Sequence, residues 1–238
     1  SSDHQIKDIN NFHLAIKSSI DSALQDNLII FGVPPTYPAT GYGYIKSEEQ
    51  LCYDEYTPLK VNEFVEKPDE RTAQCFVKDK RYAWNSGMFV FKATAILDEI
   101  KNFAPDLLKN CEQCLKKSKI DLDFLRLEKN TFLNCDNIPI DISVFEKTKK
   151  AFVIPLNCGW DDIGSWESLW KMSKKDTDGN SIKGRVVAQD NKDSLILSED
   201  KLVVAIGLEN IVIVETKDAL LVSNKKNSQN VKNIVSLL

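Results

Sequence analysis

The sequence has few of the residues that build a zinc site, and it lacks long apolar segments. Only two of its 238 residues are histidines, and its six cysteines follow none of the paired spacings of zinc-binding motifs. These counts argue against a zinc enzyme that needs several histidine ligands. No apolar run approaches the length of a membrane-spanning helix, which argues against an integral membrane protein.

The charges are nearly balanced, with 31 Lys and Arg against 35 Asp and Glu and a formal net charge of −4. Because the basic residues are spread along the chain, no broad positive surface is expected to attract nucleic acid or an anionic membrane. An anionic ligand must therefore be held by a local site. With 42% hydrophobic residues, the chain can bury a sizeable core.

The cysteines are expected to be free thiols, as is usual in cytoplasmic proteins. Cys111 and Cys114 are spaced to share one face of a helix. Since no second pair lies nearby, half-buried thiols are favoured there over a metal site. The sequence therefore predicts a cytoplasmic location.

The chain begins without an initiator methionine, a signal peptide or a transit pattern. Helical periodicity follows almost at once, as it would after the end of a strand. We therefore expect the chain to be a piece from the middle of a larger protein. The first strands of its α/β domain are expected to precede Ser1.

The first two thirds of the chain alternate helical patterns with short apolar runs, which predicts an α/β domain. Apolar residues recur at helical spacing from residue 8 to 24, with Asp8 as the helix cap. A second helical segment is predicted at 93–119, broken near Pro105. Apolar runs predict strands at 27–33, 61–65, 88–91 and 151–156.

Helical structure is expected to continue through residues 120–134, with three leucines as buried anchors, Leu122, Leu125 and Leu133. Residues 171–179 are rich in Lys, Asp and Gly and predict a hinge. From residue 184 onward, short β runs alternate with polar turns, which favours a small β-helix-like domain, with a helix only at 230–238. The predicted domains are 1–174 and 180–238.

Two adjacent aspartates, Asp161 and Asp162, follow the predicted strand 151–156 and a glycine turn. Open parallel sheets bind ligands at the carboxyl ends of their strands, where carboxylates are placed to hold a metal ion. A helix is predicted to begin just after them. An aspartate at that place can equally be a helix cap without a role in chemistry.

Four further polar clusters stand along the chain: Asp3-His4, the turn at 41–43, Glu66-Lys67-Pro68 and Asn85-Ser86-Gly87. Three of them adjoin a predicted strand. Each has an ordinary explanation as a cap, an exposed charged turn or a plain turn. Taken singly, none of the clusters points to a function.

Taken together and in this order, the clusters resemble the sugar-1-phosphate nucleotidyltransferases, and most closely the mannose-1-phosphate guanylyltransferases. Six short segments in register are far more specific than one. The matching segments are Ser2-Asp3-His4, Thr40-Gly-Tyr-Gly-Tyr-Ile45, Phe64-Val-Glu-Lys-Pro-Asp69, Trp84-Asn-Ser-Gly-Met-Phe89, Ile140-Asp141 with Phe145-Glu146-Lys147, and Gly159-Trp-Asp-Asp-Ile-Gly-Ser-Trp166. The β-rich tail resembles the segment that follows the catalytic domain in this family.

The resemblance implies an α/β fold with a Rossmann-like nucleotidyltransferase mixed sheet flanked by helices, lacking its N-terminal strands and followed by a short β-helix-like domain. It also implies a reaction in which the phosphate of mannose 1-phosphate attacks the α-phosphorus of GTP, giving GDP-mannose and pyrophosphate. Mg²⁺ is the implied cofactor. The expected partners are GTP and mannose 1-phosphate, and a homodimer is one assembly open to the chain. Such chemistry depends on positioning and charge neutralisation more than on a side-chain nucleophile.

Residue roles follow from the resemblance position by position. Asp3 and Asp162 match the two metal-binding aspartates, with Asp161 in a supporting role. Lys67 matches the residue that pairs with the sugar phosphate, and with Asp3 and Asp162 it forms the implied catalytic set. The implied substrate contacts are Lys67, Glu66 at the sugar hydroxyls, Asn85 at the sugar, Asp141 at the sugar or metal, Gly43 through its backbone, and Gly87, which keeps a turn open.

Two parts of the family pattern are missing from this sequence. One is the Gly-x-Gly-x-Arg-Leu loop that cradles the triphosphate, and the other is a cupin-type phosphomannose isomerase domain. The expectation is a fragment of a longer, bifunctional enzyme, with little or no guanylyltransferase activity by itself.

Three alternatives stay open. The first is a transferase of glucose 1-phosphate that uses UTP or dTTP, although the contexts of Trp84, Trp160 and Trp166 argue against it. The second is a parent protein named for a mannose-6-phosphate isomerase half, whose zinc site two histidines cannot supply. The third is a non-catalytic assembly module whose β-rich tail mediates oligomerisation.

Overall fold

The computed structural model describes residue 1, residues 3–231 and residue 234. The chain divides into two units. The N-terminal unit comprises residue 1 and residues 6–160, and the C-terminal unit comprises residues 3–5 and the described residues from 161 on. Among the described residues, no helix is long and apolar enough to cross a membrane.

The N-terminal unit is built on a mixed sheet. Its strands are β1 (Leu28–Val33), β2 (Tyr44–Ser47), β3 (Leu59–Val65), β4 (Tyr82–Val90), β5 (Lys119–Asp121), β6 (Phe124–Arg126) and β7 (Ala151–Pro155). Five of them form a barrel in the order β1-β4-β2-β3-β7, and the pairing of β7 with β1 closes it. The β1–β7 pairing is parallel, whereas the other pairings in the barrel are antiparallel.

Helices cover this sheet because its strands are apolar on both faces. All six residues of β1 are buried, as expected of a central strand. Ile29 and Phe31 pack in one cluster with residues of the first helix, whereas Leu28 and Ile30 pack in a second cluster with Ile96. The helices are α1 (Ile9–Leu24), α2 (Glu70–Lys78), α3 (Ala93–Phe103), α4 (Pro105–Lys116), α5 (Lys129–Leu133) and a π-helical turn (Asp141–Phe145).

Several predicted elements are confirmed in this unit. Asp8 caps α1, since its Oδ1 accepts a hydrogen bond from the Asn11 amide at 3.0 Å. The predicted break at Pro105 is the point where α4 begins.

The strand predicted at 88–91 begins earlier than expected, and Asn85-Ser86-Gly87 lies inside β4 instead of in a turn. Asn85 is opposite Gly32, and Phe89 is opposite Ile30. Between these two pairs β4 has more residues than β1, which makes a bulge in β4. Gly87 has φ +68° within this bulge, a conformation that favours glycine. Because the partner strand sets the register, the sequence around residue 87 could not show it.

The prediction of a continuing helix through 120–134 is wrong. Residues 119–126 form the β5–β6 hairpin, and Leu122 stands at its turn with φ +53°. Leu122 is 89% exposed and Leu133 is 67% exposed, so neither is a buried anchor, and Leu125 is also exposed. Apolar spacing alone could not predict burial here, because the hairpin pairs only with itself in its two-stranded sheet.

The C-terminal unit stacks short strands in parallel, as the predicted β-helix-like domain requires. Its strands are β8 (Ser181–Lys183), β9 (Val186–Gln189), β10 (Leu195–Ser198), β11 (Val203–Ile206), β12 (Ile211–Glu215) and β13 (Leu220–Asn224). β8, β10 and β12 form one parallel stack, and β9 and β11 form another, while β13 pairs antiparallel with β12.

Two further elements complete the unit, α6 (Trp166–Met172) and a 3-10 helix (Lys225–Asn230). Trp166, Leu169 and Trp170 of α6 pack against apolar residues of the parallel stack. The predicted boundary at 174–180 stays a prediction, and the helix predicted at 230–238 lies for the most part outside the described residues.

Side-chain amides connect the stacked turns. Asn180 Nδ2 donates to the carbonyl of Asn191 at 2.8 Å, and Asn191 Nδ2 donates to the carbonyl of Ala205 at 2.8 Å. The Oδ1 atoms accept from the amides of Ser194 and Leu208, respectively. Both asparagines are buried, and these bonds satisfy backbone groups that would otherwise lose their hydrogen bonds to water.

A buried carboxylate organises another turn of the same unit. Glu215 is 3% exposed, and its Oε2 accepts hydrogen bonds from the backbone amides of Glu199, Asp200 and Lys201 at 3.0 to 3.1 Å. These bonds, led by the one from Asp200, lower the pKa of the Glu215 carboxyl.

Candidate functional site

Five of the residues implied as substrate contacts meet in the N-terminal unit. Gly43 precedes β2, Glu66 and Lys67 follow β3, Asn85 lies in β4, and Asp141 begins the π-helical turn. Asn85 Nδ2 donates to Asp141 Oδ1 at 2.8 Å, and Lys67 Nζ lies 2.8 Å from Glu66 Oε1. We call these five residues the sugar cluster.

Strand register brings the members of the sugar cluster together. Tyr44 of β2 is opposite both Val65 of β3 and Trp84 of β4. The neighbours of these three residues are therefore adjacent, and the Asn85 amide donates to the Gly43 carbonyl at 2.8 Å. The site is thus built where three paired strands meet, from positions far apart in the sequence.

Gly43 leaves room for the side chains beside it. A Cβ at this position would lie 2.6 Å from Glu66 Oε2 and 3.3 Å from the Cβ of Asn85. Real Cβ atoms essentially never approach another heavy atom to 2.6 Å. A side chain at residue 43 would therefore displace the Glu66 carboxylate.

Lys67 has an unusual backbone conformation and an accessible ammonium group. Its φ is +47°, in the left-handed region that costs a residue other than glycine about 1 to 2 kcal/mol. It also precedes Pro68, which restricts it further. The Lys67 side chain is 61% exposed, whereas that of Glu66 is only 16% exposed. Strained residues concentrate at ligand sites, and this one presents a cation to solvent.

The charge of Glu66 acts on the other carboxylate of the sugar cluster, that of Asp141. Burial raises the pKa of the Asp141 carboxyl, and the charge of Glu66 raises it further. The hydrogen bond from Asn85 and the charge of Lys67 act in the opposite direction. Neutral hydroxyl groups are suited to this cluster, because they can donate to both carboxylates without adding negative charge.

Gly87 is linked to the cluster through Asn85, whose Oδ1 accepts a hydrogen bond from the Gly87 amide at 3.0 Å. Nothing lies within 4 Å of a Cβ built on Gly87, so its backbone conformation, not space, favours glycine. The bulge therefore holds the Asn85 amide in place.

An aromatic group adjoins the sugar cluster along the chain. Tyr42 precedes Gly43, and its ring lies edge-on to Trp84 with centroids 5.1 Å apart and to Trp160 with centroids 5.6 Å apart. Tyr37 meets Trp84 in the same way at 4.9 Å. Neither Tyr37 nor Tyr42 was assigned a role from the sequence, although Tyr42 lies directly before Gly43 in the matching segment 40–45.

The implied metal-binding aspartates lie on neighbouring segments of the C-terminal unit. The Gln5 amide donates to the Asp161 carbonyl at 2.8 Å, and the Asp161 amide donates to the Gln5 carbonyl at 3.1 Å. This antiparallel bridge runs the segment that contains Asp3 alongside the segment that contains Asp162. Gln5 was not identified from the sequence.

Helix capping does not explain the paired aspartates. Ser165 caps α6, since its Oγ accepts from the Ser168 amide at 3.1 Å. Asp161 Oδ1 accepts instead from the Ile163 amide at 2.8 Å, and Asp162 Oδ1 accepts from the Gly164 amide at 3.0 Å. Ile163 has φ +46°, which is a rare conformation for a β-branched residue.

The side chains on these two segments carry the oxygen ligands that a hard divalent cation prefers. Asp3 and Asp162 offer carboxylate oxygens, and Gln5 Oε1 is buried without a hydrogen-bond partner among the described residues. The described residues contain no group of three or more His, Cys, Asp or Glu side chains that could hold a metal ion. A cation here would need further oxygens from phosphates and water, which is how Mg²⁺ is usually held beside phosphate substrates.

Two family models match the chain. One, described as Nucleotidyl transferase, matches residues 1–179, and the other, described as MannoseP isomerase/GMP-like beta-helix domain, matches residues 184–238. The predicted fold class, an α/β nucleotidyltransferase domain with a small β-rich domain after it, is therefore confirmed.

Curated relatives resemble the chain along its whole length. It is 44% identical over 237 residues to a mannose-1-phosphate guanylyltransferase of Escherichia coli, covering 99% of this chain and 51% of that protein. It is 45% identical to mannose-1-phosphate guanylyltransferase RfbM of Salmonella typhimurium, covering 100% of this chain and 49% of that protein. The alginate biosynthesis protein AlgA of Pseudomonas fluorescens is also 45% identical, with 99% and 49% covered. The chain spans about half the length of the curated relatives it matches.

Two solved structures are also similar. A mannose-1-phosphate geranyltransferase from Thermus thermophilus matches with a TM-score of 0.81 and 26% identity, covering 99% of this chain and 67% of that chain. A mannose-6-phosphate isomerase from Helicobacter pylori matches with a TM-score of 0.61 and 36% identity, covering 67% of this chain and 62% of that chain.

Proposed function

The chain belongs to the nucleotidyl transferase family, and we propose that it serves the transfer of a guanylyl group from GTP to mannose 1-phosphate, giving GDP-mannose and pyrophosphate. The observation that carries the proposal is the sugar cluster, in which Glu66, Lys67, Asn85 and Asp141 converge next to a glycine that leaves them room. The names of the curated relatives favour the same reaction. The product is a sugar donor for polysaccharide synthesis, which agrees with the alginate relative.

In this reaction an oxygen of the sugar phosphate attacks the α-phosphorus of GTP, and the bond to pyrophosphate breaks. Glu66 and Asp141 accept hydrogen bonds from sugar hydroxyls, and Asn85 orients Asp141 through their 2.8 Å bond. The ammonium of Lys67 is accessible and offsets the negative charge of the sugar phosphate. The rate gain comes from alignment and charge neutralisation, which need no side-chain nucleophile.

Nucleotidyl transferases generally use a divalent metal. We propose that Asp3 and Asp162 would hold Mg²⁺, with Asp161 and its bond to the Ile163 amide supporting the loop. A bound cation would supply charge neutralisation at the phosphates.

Calorimetric titration of the chain with mannose 1-phosphate tests the sugar cluster. We expect binding that weakens at least tenfold, or about 1.4 kcal/mol, in Glu66→Gln and in Lys67→Met. The matched controls are Glu48→Gln and Lys60→Met, because Glu48 and Lys60 form an exposed ion pair with side chains 55% and 49% exposed. Equal effects in both pairs would show that the sugar cluster has no special role.

Competition among nucleotides tests the reaction class. GTP is expected to displace a fluorescent GTP analogue better than UTP or dTTP, and mannose 1-phosphate is expected to bind better than glucose 1-phosphate. Tighter binding of UTP and glucose 1-phosphate would favour the alternative transferase. Clear GDP-mannose synthesis by this chain alone would contradict the expectation that it is inactive by itself.

The similarity to the Helicobacter pylori isomerase favours a second candidate, the interconversion of mannose 6-phosphate and fructose 6-phosphate by a protein that contains this chain. Two histidines give this chain few ligands for an isomerase zinc site. An isomerase assay of the chain with added zinc tests the candidate, and turnover would support it. The homodimer and the cytoplasmic location stay predictions.

A further inference from the structure

Helices α4 and α5 approach each other at a pair of cysteines. Asn110 Nδ2 of α4 donates to the carbonyl of Asn134 at 3.0 Å, just after α5. Cys111 follows Asn110, and Cys135 follows Asn134 through the peptide bond whose oxygen accepts this hydrogen bond. The two backbones are therefore held together at the position of the two cysteines.

The two thiols interact with each other. Cys135 Sγ lies 3.9 Å from the carbonyl of Thr131 and is within hydrogen-bond reach of the Cys111 thiol. Burial raises the pKa of the Cys135 thiol, and the neighbouring thiol of Cys111 raises it further. Cys111 is exposed, so reagents in solution reach it first.

Cys114 is on the same face of α4 but has a different role. It is 1% exposed and its Sγ donates to the carbonyl of Glu128 at 3.2 Å, which fixes α4 to the start of α5. This bond holds the helices in the arrangement that places Cys111 beside Cys135. Cys114 therefore positions the pair without being open to reagents.

We propose that Cys111 and Cys135 form a reversible modification site that reacts with low-molecular-weight disulfides and closes into a disulfide between α4 and the segment after α5. The site is separate from the sugar cluster and does not depend on the proposed transferase function. Both thiols are free in the structure, which is the reduced state of this site.

The reaction proceeds by two exchanges. The Cys111 thiolate attacks one sulfur of the external disulfide, a mixed disulfide forms, and one external thiolate leaves. Cys135 then loses its proton to solvent and its thiolate attacks the Cys111 sulfur, which releases the second external thiolate. The two leaving thiolates take up two protons, so two protein thiols are oxidised while one external disulfide is reduced.

Counting thiols tests the proposal. The reduced chain is incubated with oxidised glutathione, unfolded, alkylated with iodoacetamide and weighed by intact mass spectrometry. We expect Cys111 and Cys135 to escape alkylation without any glutathione mass, because they are joined to each other in the peptide map, and to be alkylated again after dithiothreitol. Glutathione on the exposed Cys52 or Cys75 is recognised by its added mass. A persistent glutathione adduct on Cys111, or a disulfide between other cysteines, would overturn the proposal.

Variants separate the pair from ordinary exposed thiols. Cys135→Ser is expected to keep a glutathione adduct on Cys111, and Cys111→Ser, at an exposed position, to lose the cross-link. Cys75→Ser is the matched control, because Cys75 is also exposed and lies on α2. In Cys75→Ser the disulfide between Cys111 and Cys135 is expected to form as in the unchanged chain. Loss of this disulfide in Cys75→Ser would count against the proposal.

Thermal unfolding gives a second readout. Oxidation is expected to raise the melting temperature by about 5 °C, because a disulfide restricts the unfolded chain. The same treatment of Cys111→Ser is expected to leave the melting temperature unchanged. An equal rise in that variant would show that oxidation acts elsewhere in the chain.

Discussion

The two units bury polar side chains in different proportions. In the N-terminal unit the barrel strands carry apolar residues on both faces, and helices cover them, as Ile29 and Ile30 illustrate. In the C-terminal unit the stacked strands enclose a smaller apolar core, and Asn180, Asn191 and Glu215 are buried with it. The first unit therefore relies on apolar area, whereas the second relies more on hydrogen bonds made by particular atoms.

The candidate sites follow the same division. In the N-terminal unit, polar side chains of the sugar cluster bond to each other above an apolar sheet. In the C-terminal unit, Asp161 and Asp162 bond to backbone amides of their own loop. A site of the first kind depends on strand register, whereas one of the second kind depends on local backbone conformation. Substitutions at four positions test this division between the units.

The largest expected effect is in the apolar core. Phe31→Ala is expected to lower the free energy of unfolding by about 4 kcal/mol, because it removes a ring that is 2% exposed in β1. Urea denaturation measures the change. Phe132→Ala is the matched control, since that ring is 55% exposed, and it is expected to cost less than about 1 kcal/mol. Similar losses at both positions would contradict the role given to the barrel core.

A somewhat smaller effect is expected at the buried asparagines of the C-terminal unit, Asn180 and Asn191. Asn191→Ala leaves the Ala205 carbonyl and the Leu208 amide without their partners and is expected to cost about 3 kcal/mol. Urea denaturation followed by the fluorescence of the tryptophans in α6 measures it. The exposed Asn227→Ala is the control, with a change within about 0.5 kcal/mol. A negligible effect at Asn191 would mean that apolar contacts also dominate this unit.

The next effect is on binding. Gly43→Ala places a Cβ where Glu66 Oε2 stands and is expected to weaken mannose 1-phosphate binding about tenfold, or about 1.4 kcal/mol. Titration calorimetry measures this, and circular dichroism checks that the fold is intact. Gly87→Ala gives a useful comparison, because a Cβ there meets nothing and only the backbone conformation is strained. Unchanged binding in Gly43→Ala would show that the Glu66 carboxylate has no fixed position.

The smallest expected effect is a pH dependence in the C-terminal unit. Because the folded state lowers the pKa of Glu215 from its usual 4.5, its carboxylate stabilises the fold above that pH, and the contribution is lost as the pH falls through the folded value. The stability difference between the unchanged chain and Glu215→Gln should therefore shrink on going from neutral to acidic pH. The exposed Glu209→Gln is the control, and urea denaturation at several pH values measures both. A constant difference would exclude the carboxylate charge as its cause.

Local signals in the sequence were enough for several elements. The Asp8 cap, the break at Pro105 and the buried run of β1 depend on neighbouring residues only, and all are present in the structure. The parallel stacking of the tail was also predictable, because its short apolar runs recur between polar turns. These features are set by capping, chain stiffness and burial within one segment.

Features that depend on partners distant in the sequence were not predictable. The bulge at Gly87 is fixed by the pairing of β4 with β1. Helix α6 is capped by Ser165, whereas Asp161 bonds to an amide of its own loop. Gln5 gave no signal, since its importance comes from its bridge to Asp161. For the sugar cluster, the order of short segments predicted which residues belong together, but only strand register explains how they meet.

The barrel closes through a short seam, since β3 and β7 are paired only at Leu59 with Val153 and at Lys60 with Phe152. This seam has fewer paired residues than any other pairing of the barrel. Glu66 and Lys67 lie at the far end of β3, beyond the seam. Glu66 and Lys67 therefore follow the part of β3 that is paired with β2 alone, whereas β1 is paired on both sides, with β4 and with β7.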